Sequence, residues 1–421
     1  MIKTIELLPG IQLRCFRDSR FKQGCLSLQI VRAMDRTEAH KNALLGAVLL
    51  RGTRQHSDLR TITEHLDELY GASVSTLVRR VGDYQTTGLY CGFMDDRFAL
   101  PGDAVLKPLT EFLGELLLDS SLEDGGFLPG FVEGEKKNLI ATIESEPNDK
   151  RVYAMNRLLR IMCREDSFGQ PRLGEPEQVA AIEGKDLYAH YRDILSTSPI
   201  HLFYVGSAPA QTVADLLRPL FAGLERKVQP LLPQTPFHPC ESQNVVETME
   251  VTQGKLCMGF TTPITNRMQS FPAMQVLNTL FGAGMTSKLF VNIREKMSLC
   301  YSIGSGYYGT KGIVTVSAGI DFDREKETRE EVLRQLQLCQ SGGIKAEELT
   351  AAKQALLSSL RTTHDSPSAI EGYYATAALS GMGLTPERYM DAVEAVTMDQ
   401  VVAAANTMVP HSTYFLKGDR E

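Results

Sequence analysis

The chain has 421 residues, 43% of them hydrophobic, and carries a formal net charge of −7. That length exceeds one ordinary core and predicts more than one domain, while the acidic balance argues against a nucleic-acid-binding face. The run "ALLGAVLL" is far too short for a membrane span, and the opening "MIKTIELLPGIQLRC" has neither the apolar core nor the cleavage site of a secretory signal, so the expectation is a cytoplasmic protein.

In chain order, β-rich alternation predicts strands at 11–16, 25–32, 74–80 and 85–93, with helical periodicity at 41–50, 59–70, 106–118, 131–144 and 153–163. "DLYAHYRDILSTSPIHLFYVGS" reads as helix, turn, strand and glycine stop. Four prolines then crowd "VQPLLPQTPFHPCESQ"; no regular helix survives that density, so the stretch is expected to be a linker. Beyond it the pattern restarts. Strands are expected at 255–261 and 313–320, helices at 272–281, 287–296, 325–340, 346–363, 369–379 and 399–408, and a last strand in "HSTYFLKGD". "YRDILSTSPIHLFYVG" and "AAANTMVPHSTYFLKG" both run from helix end through loop and apolar strand to glycine, about half the chain apart. This hints at a duplicated α+β domain.

Few motifs carry chemistry. "HLDEL" at 65–69 places His65 and Glu68 three apart on a helix, but two ligands do not make a zinc site, and the charge-rich face reads as solvated. "GSGYYG" at 304–309 stands in the wrong context for a dinucleotide loop and reads as strand or turn with close backbone approach. "FGAGMTSKLF" lacks the G-K-[ST] ending of a phosphate loop and reads as a close-packed helix entry. The eight cysteines form no C-x-x-C pair and are expected as buried free thiols. Arg294 and Tyr301 fall near a helix-to-strand corner in "NIREKMSLCYSIGS". There a guanidinium and a phenol suit hydrogen bonding to a peptide carbonyl or to the oxyanion of a tetrahedral intermediate. The competing reading puts Arg294 in surface ion pairs and Tyr301 in the core.

"GMTSKLFVNIREKMSLCYSIGS", "EELTAAKQAL", "LGEPEQVAAIEGKDLYAHYRDIL", "LPGIQLRC" and "LLRGTRQHSDLRTITEHLDELYGASVS" resemble the pitrilysin-type M16 metallopeptidases. The similarity is to their two-domain, mitochondrial-processing-peptidase-like branch and spans essentially the whole chain. It implies two similar M16-type (LuxS/MPP-like) α+β domains, each an antiparallel-rich sheet packed with helices. On this chain they are expected at 1–225 and 246–421, joined by a linker at 226–245. The family's H-x-x-E-H zinc helix aligns with "ALLGA": the ligand positions are Ala43 and Ala47, the general-base position is Gly46, and the third ligand position falls on Thr142, with Glu135 and Glu144 close by. An Ala/Gly/Ala helix offers no imidazole to hold Zn²⁺ and no base to activate water. The chain therefore resembles the family's non-catalytic, YfmF-like members, with no cofactor of its own and zinc only in a partner subunit.

The resemblance further implies a companion, a YfmH-like catalytic M16 subunit bearing the intact motif, with Arg294 and Tyr301 contacting the substrate peptide in trans. Strand addition to a sheet edge is the expected mode of peptide binding, at the strand before "TTPI" or the one at 313–318. The alternative is a peptidase-dead peptide- or protein-binding scaffold, homodimeric in isolation, serving peptide processing or a modification pathway of elongation factor P.

Overall fold

The computed structural model of the chain describes residues 2–418; Asp419, the last residue of the "HSTYFLKGD" reading, lies outside them. Strands β1 (Ile2–Leu8), β2 (Ile11–Arg17) and β3 (Gln23–Ala33) come first, followed by helices α1 (Ala39–Leu49) and α2 (Leu59–Glu68). The hairpin β4 (Ser73–Val81) and β5 (Tyr84–Met94) leads to α3 (Leu106–Leu118), the short strands β6 (Leu122–Glu123) and β7 (Gly126–Phe127), and α4 (Pro129–Glu144). Next come α5 (Lys150–Met162), α6 (Pro176–Ala180), α7 (Gly184–Thr197), β8 (Ile200–Gly206) and α8 (Ala210–Phe221). After the proline-rich stretch the order is β9 (Asn244–Thr248), β10 (Gly254–Thr261), α9 (Phe271–Phe281), a π-helical segment (Leu289–Lys296), β11 (Ser302–Tyr308) and β12 (Ile313–Ile320). Helices α10 (Glu325–Gln340), α11 (Ala346–Arg361), α12 (Pro367–Ser380), α13 (Pro386–Glu394) and α14 (Met398–Asn406) precede the final strand β13 (Val409–Lys417).

These elements build two compact units. Unit 1 takes the residues up to 144, 171–233 and 364–376; unit 2 takes 145–170, 234–363 and the residues from 377. Unit 1 holds a mixed six-stranded sheet of order β1-β2-β8-β3-β5-β4, in which β2 and β8 are parallel. One face of the sheet buries Leu13, Leu28, Leu89 and Leu202 against Leu44 and Val48 of α1, Phe112 of α3, Ile194 of α7 and Leu217 of α8. Fully burying each such side chain contributes about 1.5–3 kcal/mol.

The other face of that sheet is covered by the first turns of α12. Ile370 packs on Cys25 and Val205. Beside it the Glu371 carboxylate, whose side chain is fully buried, accepts from Arg79 Nη1 (2.9 Å) and Nη2 (2.8 Å), Ser27 Oγ (2.7 Å) and Gln29 Nε2 (2.9 Å). Four donors satisfy a charge that burial alone would not tolerate.

Unit 2 repeats the plan with a mixed five-stranded sheet, β11-β12-β10-β13-β9, in which β13 and β9 are parallel. Helix α9 lies against β11, and α10, α11, α13 and α14 pack on α9. The opposite face is covered by α5, whose Ala154 and Leu158 meet Cys257, Tyr414 and Leu416. Each unit thus draws its covering helix from the sequence half that builds the other unit. The fold class is α+β, as expected, and each of these sheets is antiparallel-rich with one parallel pair.

The proline-rich stretch has no regular secondary structure, yet it is anchored. Lys227 and Gln229 donate their amides to Ser196 O (3.0 Å) and Thr197 O (2.7 Å), and Phe237 N donates to Lys311 O (2.9 Å). All eight cysteines are free thiols, seven of them buried. Burial pushes the Cys91 thiol up to about 12, which keeps it protonated and unreactive.

Two expectations need correcting. The segment at 287–296 is π-helical rather than α-helical: Lys288 is tied to Gly343 O (2.9 Å) and Glu348 (2.8 Å), Asn292 to Gln335 Oε1 (2.9 Å), and Met297 N reaches back to Asn292 O (3.2 Å). These tertiary anchors favour the wider turn over propensity. His65 is not on a solvated face; its ring lies 4.6 Å from that of His56 and 4.9 Å from that of Phe112. It shares the inward stripe of α2 with Ile62 and Leu66, three residues back and one residue on, and burial lowers its pKa.

Candidate functional site

Helix α1 carries the expected zinc-helix positions. Ala43 and Gly46 are buried and Ala47 is half-buried. The helix packs on β5, β4 and α4. Gly46 sits at the closest approach: a Cβ there would stand 3.2 Å from Gly88 O and 3.3 Å from Thr76 Cβ. A side chain at the position expected for the general base would therefore press on the sheet.

Next to Ala43, Asn42 is locked into a buried polar network. Its Nδ2 donates to Gln85 Oε1 (2.9 Å), leaving Oδ1 to accept from His190 Nε2 (2.8 Å). Gln85 Nε2 in turn donates to Ala39 O and Arg172 O. Burial holds His190 neutral, its pKa lowered to about 4. These groups satisfy one another and fix α1 on the sheet.

Helix α4 lies alongside α1, as a third ligand would require. Thr142, however, is exposed, and its hydroxyl donates to Asn138 O of its own helix (2.8 Å). Glu135 faces Arg51, just past α1, at 3.4 Å. Glu144 is exposed at the last position of the helix. Among the described residues no cluster of three or more His, Cys, Asp or Glu side chains is arranged to hold a metal ion, and no helix is long and apolar enough to cross a membrane.

Arg294 and Tyr301 lie in unit 2, on either side of the break between the π-helical segment and β11. Leu289 and Ile293 are buried and anchor the segment, turning Arg294 outward. Its guanidinium stacks over the Phe290 ring at 4.7 Å and lies 3.7 Å from Glu295. Ser298, inside the break, has a left-handed φ of 51°, a conformation that costs a non-glycine residue energy. Tyr301 is 60% exposed, its amide donates to Gly319 O (2.8 Å), and its hydroxyl donates to Asp321 Oδ1 (3.0 Å). That hydrogen bond, with the charge behind it, raises the phenol pKa. Among the described residues no hydrogen bond joins Arg294 to Tyr301. Both are presented outward, neither in the core.

The corner continues into a groove. Ser302, next to Tyr301, begins the lining of a cavity of about 450 Å³ between α5 and the face of β11 and β12. Arg151 and Asn156 form the helical wall, while Gly304, Gly306, Thr315 and Ser317 form the floor. Neither floor glycine has a positive φ. A Cβ would find only ordinary contacts, 3.6 Å to Gly282 O at Gly304 and 3.4 Å to Thr315 Oγ1 at Gly306. Packing does not demand glycine at either place; their effect is to keep the groove open. Strand β11 is also an edge strand, paired with β12 alone, although Ser305 N is occupied by Gly282 O (3.1 Å).

The two strands expected to bind peptide are excluded from that role. β10 and β12 are both interior and paired on each side. Composition could not separate an interior strand from an edge, because both carry apolar alternation. The "GSGYYG" reading as strand is borne out, with the two glycines in β11. What sequence reasoning missed here is Asp321, Phe290 and the α5 wall; only "GSG" gave a signal.

Comparison with known proteins fits this picture. The family model described as "Peptidase M16 inactive domain" matches residues 181–356. The "Probable inactive metalloprotease YmfF" of Bacillus subtilis is 28% identical over 97% of this chain and 96% of that protein. The "Uncharacterized zinc protease YmxG" of the same organism is 24% identical over 64% of this chain and 65% of its own length. Among solved structures, a conserved protein from Enterococcus faecalis V583 superposes with a TM-score of 0.91 at 24% identity, covering 100% of this chain and 99% of that one. A peptidase M16 inactive domain from Pseudomonas fluorescens gives 0.80 at 16% identity, over 99% and 98%. The fold and the sequence matches together make the chain similar to proteins described as inactive metalloproteases of the M16 type. Residues 181–356 match the M16 inactive-domain family, and a relative similar over the full length bears the name YmfF, in place of the expected YfmF label. The matched family segment does not include residues 43–47, so the lack of zinc chemistry on α1 rests on the side chains there.

Proposed function

We propose that this chain is the non-catalytic subunit of a two-chain M16 peptidase. In this reading a related subunit with an intact H-x-x-E-H helix holds the zinc, and this chain supplies peptide-binding surface together with Arg294 and Tyr301. The observation that carries the reading is the contrast on one chain between an α1 helix without ligands and an outward-facing Arg294/Tyr301 corner that opens into the β11 groove. The groups divide the work by their chemistry. The guanidinium, always charged, holds a substrate carbonyl or stabilises an oxyanion. The Tyr301 hydroxyl exchanges Asp321 for the peptide. β11 adds its open edge positions to an extended substrate. Free, buried thiols suit a reducing, cytoplasmic setting.

A second reading is supported by the groove alone, which needs no zinc from any partner: a peptide-binding scaffold, homodimeric in isolation. One experiment separates the two. The chain is mixed with a related M16 chain carrying H-x-x-E-H, and complex formation, zinc content and peptide hydrolysis are measured together. The expected result is hydrolysis in the mixture only, with zinc tracking the companion. Peptide binding without complex formation supports the scaffold, and zinc-dependent hydrolysis by this chain alone overturns both.

A further inference from the structure

A second cavity, in unit 1, takes no part in that reading. Its volume is about 700 Å³, within the range of small-ligand sites. It lies at the ends of α3 and α8, with the later turns of α7 forming one wall. Leu118, Leu122, Leu220 and Leu224 give a largely polar lining its apolar patches, and the hydroxyl of buried Tyr191 is used up on Leu117 O.

The polar groups that remain are unspent. The Ser120 side-chain oxygen is buried and has no hydrogen-bond partner among the described residues. The Tyr188 hydroxyl makes no hydrogen bond there either. Two opposite charges line the cavity, Arg192 and Glu225. Both are exposed, and among the described residues neither forms an ion pair, with each other or with anything else. Arg54, by contrast, is committed to Asp119 at 3.3 Å. A buried hydroxyl left without a partner costs about 1–3 kcal/mol, so the orphan at Ser120 calls for an acceptor or donor from outside the chain.

We infer that this cavity binds a short apolar peptide with free termini. Its carboxylate meets Arg192 and its ammonium meets Glu225, near the carbonyl ends of α3 and α8, which favour positive charge. Its side chains cover the leucines, and its amide groups engage Ser120 and Tyr188. A zwitterion with apolar side chains explains together what either charge alone does not: two unpaired groups of opposite sign beside accessible leucines.

The test is calorimetric titration of the full chain with trileucine, and with N-acetyl-trileucine amide as the uncharged counterpart. Charge-assisted hydrogen bonds are worth enough that removing one weakens binding about ten-fold or more. The expected result is saturable trileucine binding, at least ten-fold weaker for the blocked peptide, and weakened similarly by Arg192→Glu and by Glu225→Lys. Both positions are exposed, so both variants fold, which circular dichroism checks. No heat with millimolar trileucine, equal affinity for the blocked peptide, or unchanged affinity in the two variants would each overturn the proposal. The last outcome would place the peptide elsewhere, the unit 2 groove included.

Discussion

Helix α1 in unit 1 and the corner at 289–301 in unit 2 use their residues in opposite ways. On α1 the positions that would carry chemistry are small and turned inward, and Gly46 rests against Thr76 and Gly88. At the corner the large polar groups face out: Tyr301 is 60% exposed, and Arg294 has only a ring and a neighbouring carboxylate for company. The first region has become scaffold. The second presents groups whose contacts within the chain are few and exposed to water. What the difference teaches is that a helix without metal ligands and an outward-facing polar corner coexist on this fold.

The comparison breaks most readily in unit 1, where inward groups are expected to dominate stability. Glu371→Ala would leave Arg79 facing Ser27 and Gln29 without its acceptor. Removing one partner of such a pair costs about 3–5 kcal/mol, seen as a lower midpoint in urea unfolding; a loss below about 1 kcal/mol would mean that the network is not structural.

A smaller effect is expected from refilling the zinc helix. Ala43→His, Gly46→Glu and Ala47→His together force side chains into a packed interface at a cost of about 1–3 kcal/mol. No hydrolysis follows in the chain alone, since Thr142 supplies no third ligand. Zinc-dependent cleavage by that triple variant would show that the site had been one step from function.

Acid sharpens the contrast further. His201 in β8 is half-buried, and its pKa is lowered to about 3 by burial and by Arg14. The unfolded chain binds that proton near pH 6.5. The unfolded state therefore takes up more protons between those values, and stability falls as pH drops below about 6.5. His201→Phe is expected to remove about 1–2 kcal/mol of the stability lost between pH 7 and pH 5, measured as a flatter dependence of Tm on pH. An unchanged slope would assign the acid sensitivity to other groups.

The smallest stability effect belongs to the corner. Arg294→Ala and Tyr301→Phe are expected to change the unfolding free energy by less than about 0.5 kcal/mol. Their contacts are exposed, and the Arg294–Glu295 pair is screened by water.

Much of this was legible in the chain. Apolar periodicity located α3, α10 and β12 to the residue, because each is bounded by sharp polar or glycine punctuation. The α+β class and the repeated strand-glycine ending were equally plain. The covering roles of α5 and α12 were not: an apolar helical stripe states that a face is buried, not which sheet buries it. Edge and interior strands differ in pairing rather than composition, which is why β10 and β12 were expected to bind peptide. The site was half-readable. Ala43, Gly46 and Ala47 follow from an alignment of residue types, and Arg294 and Tyr301 from a corner. Their neighbours Phe290 and Asp321, and the Glu371 network across nearly 300 residues of sequence, follow only from the folded chain.

The central claim is that this chain completes a partner's active site without owning one. The most direct measurement is kcat/KM for peptide cleavage by the reconstituted pair, with this subunit as wild type, Arg294→Ala or Tyr301→Phe, at equal complex and zinc content. Loss of a charged donor predicts a fall of about ten-fold or more for Arg294→Ala, and loss of a neutral hydroxyl donor a fall of about three-fold or more for Tyr301→Phe. Wild-type turnover in both, with the complex intact, would contradict the account.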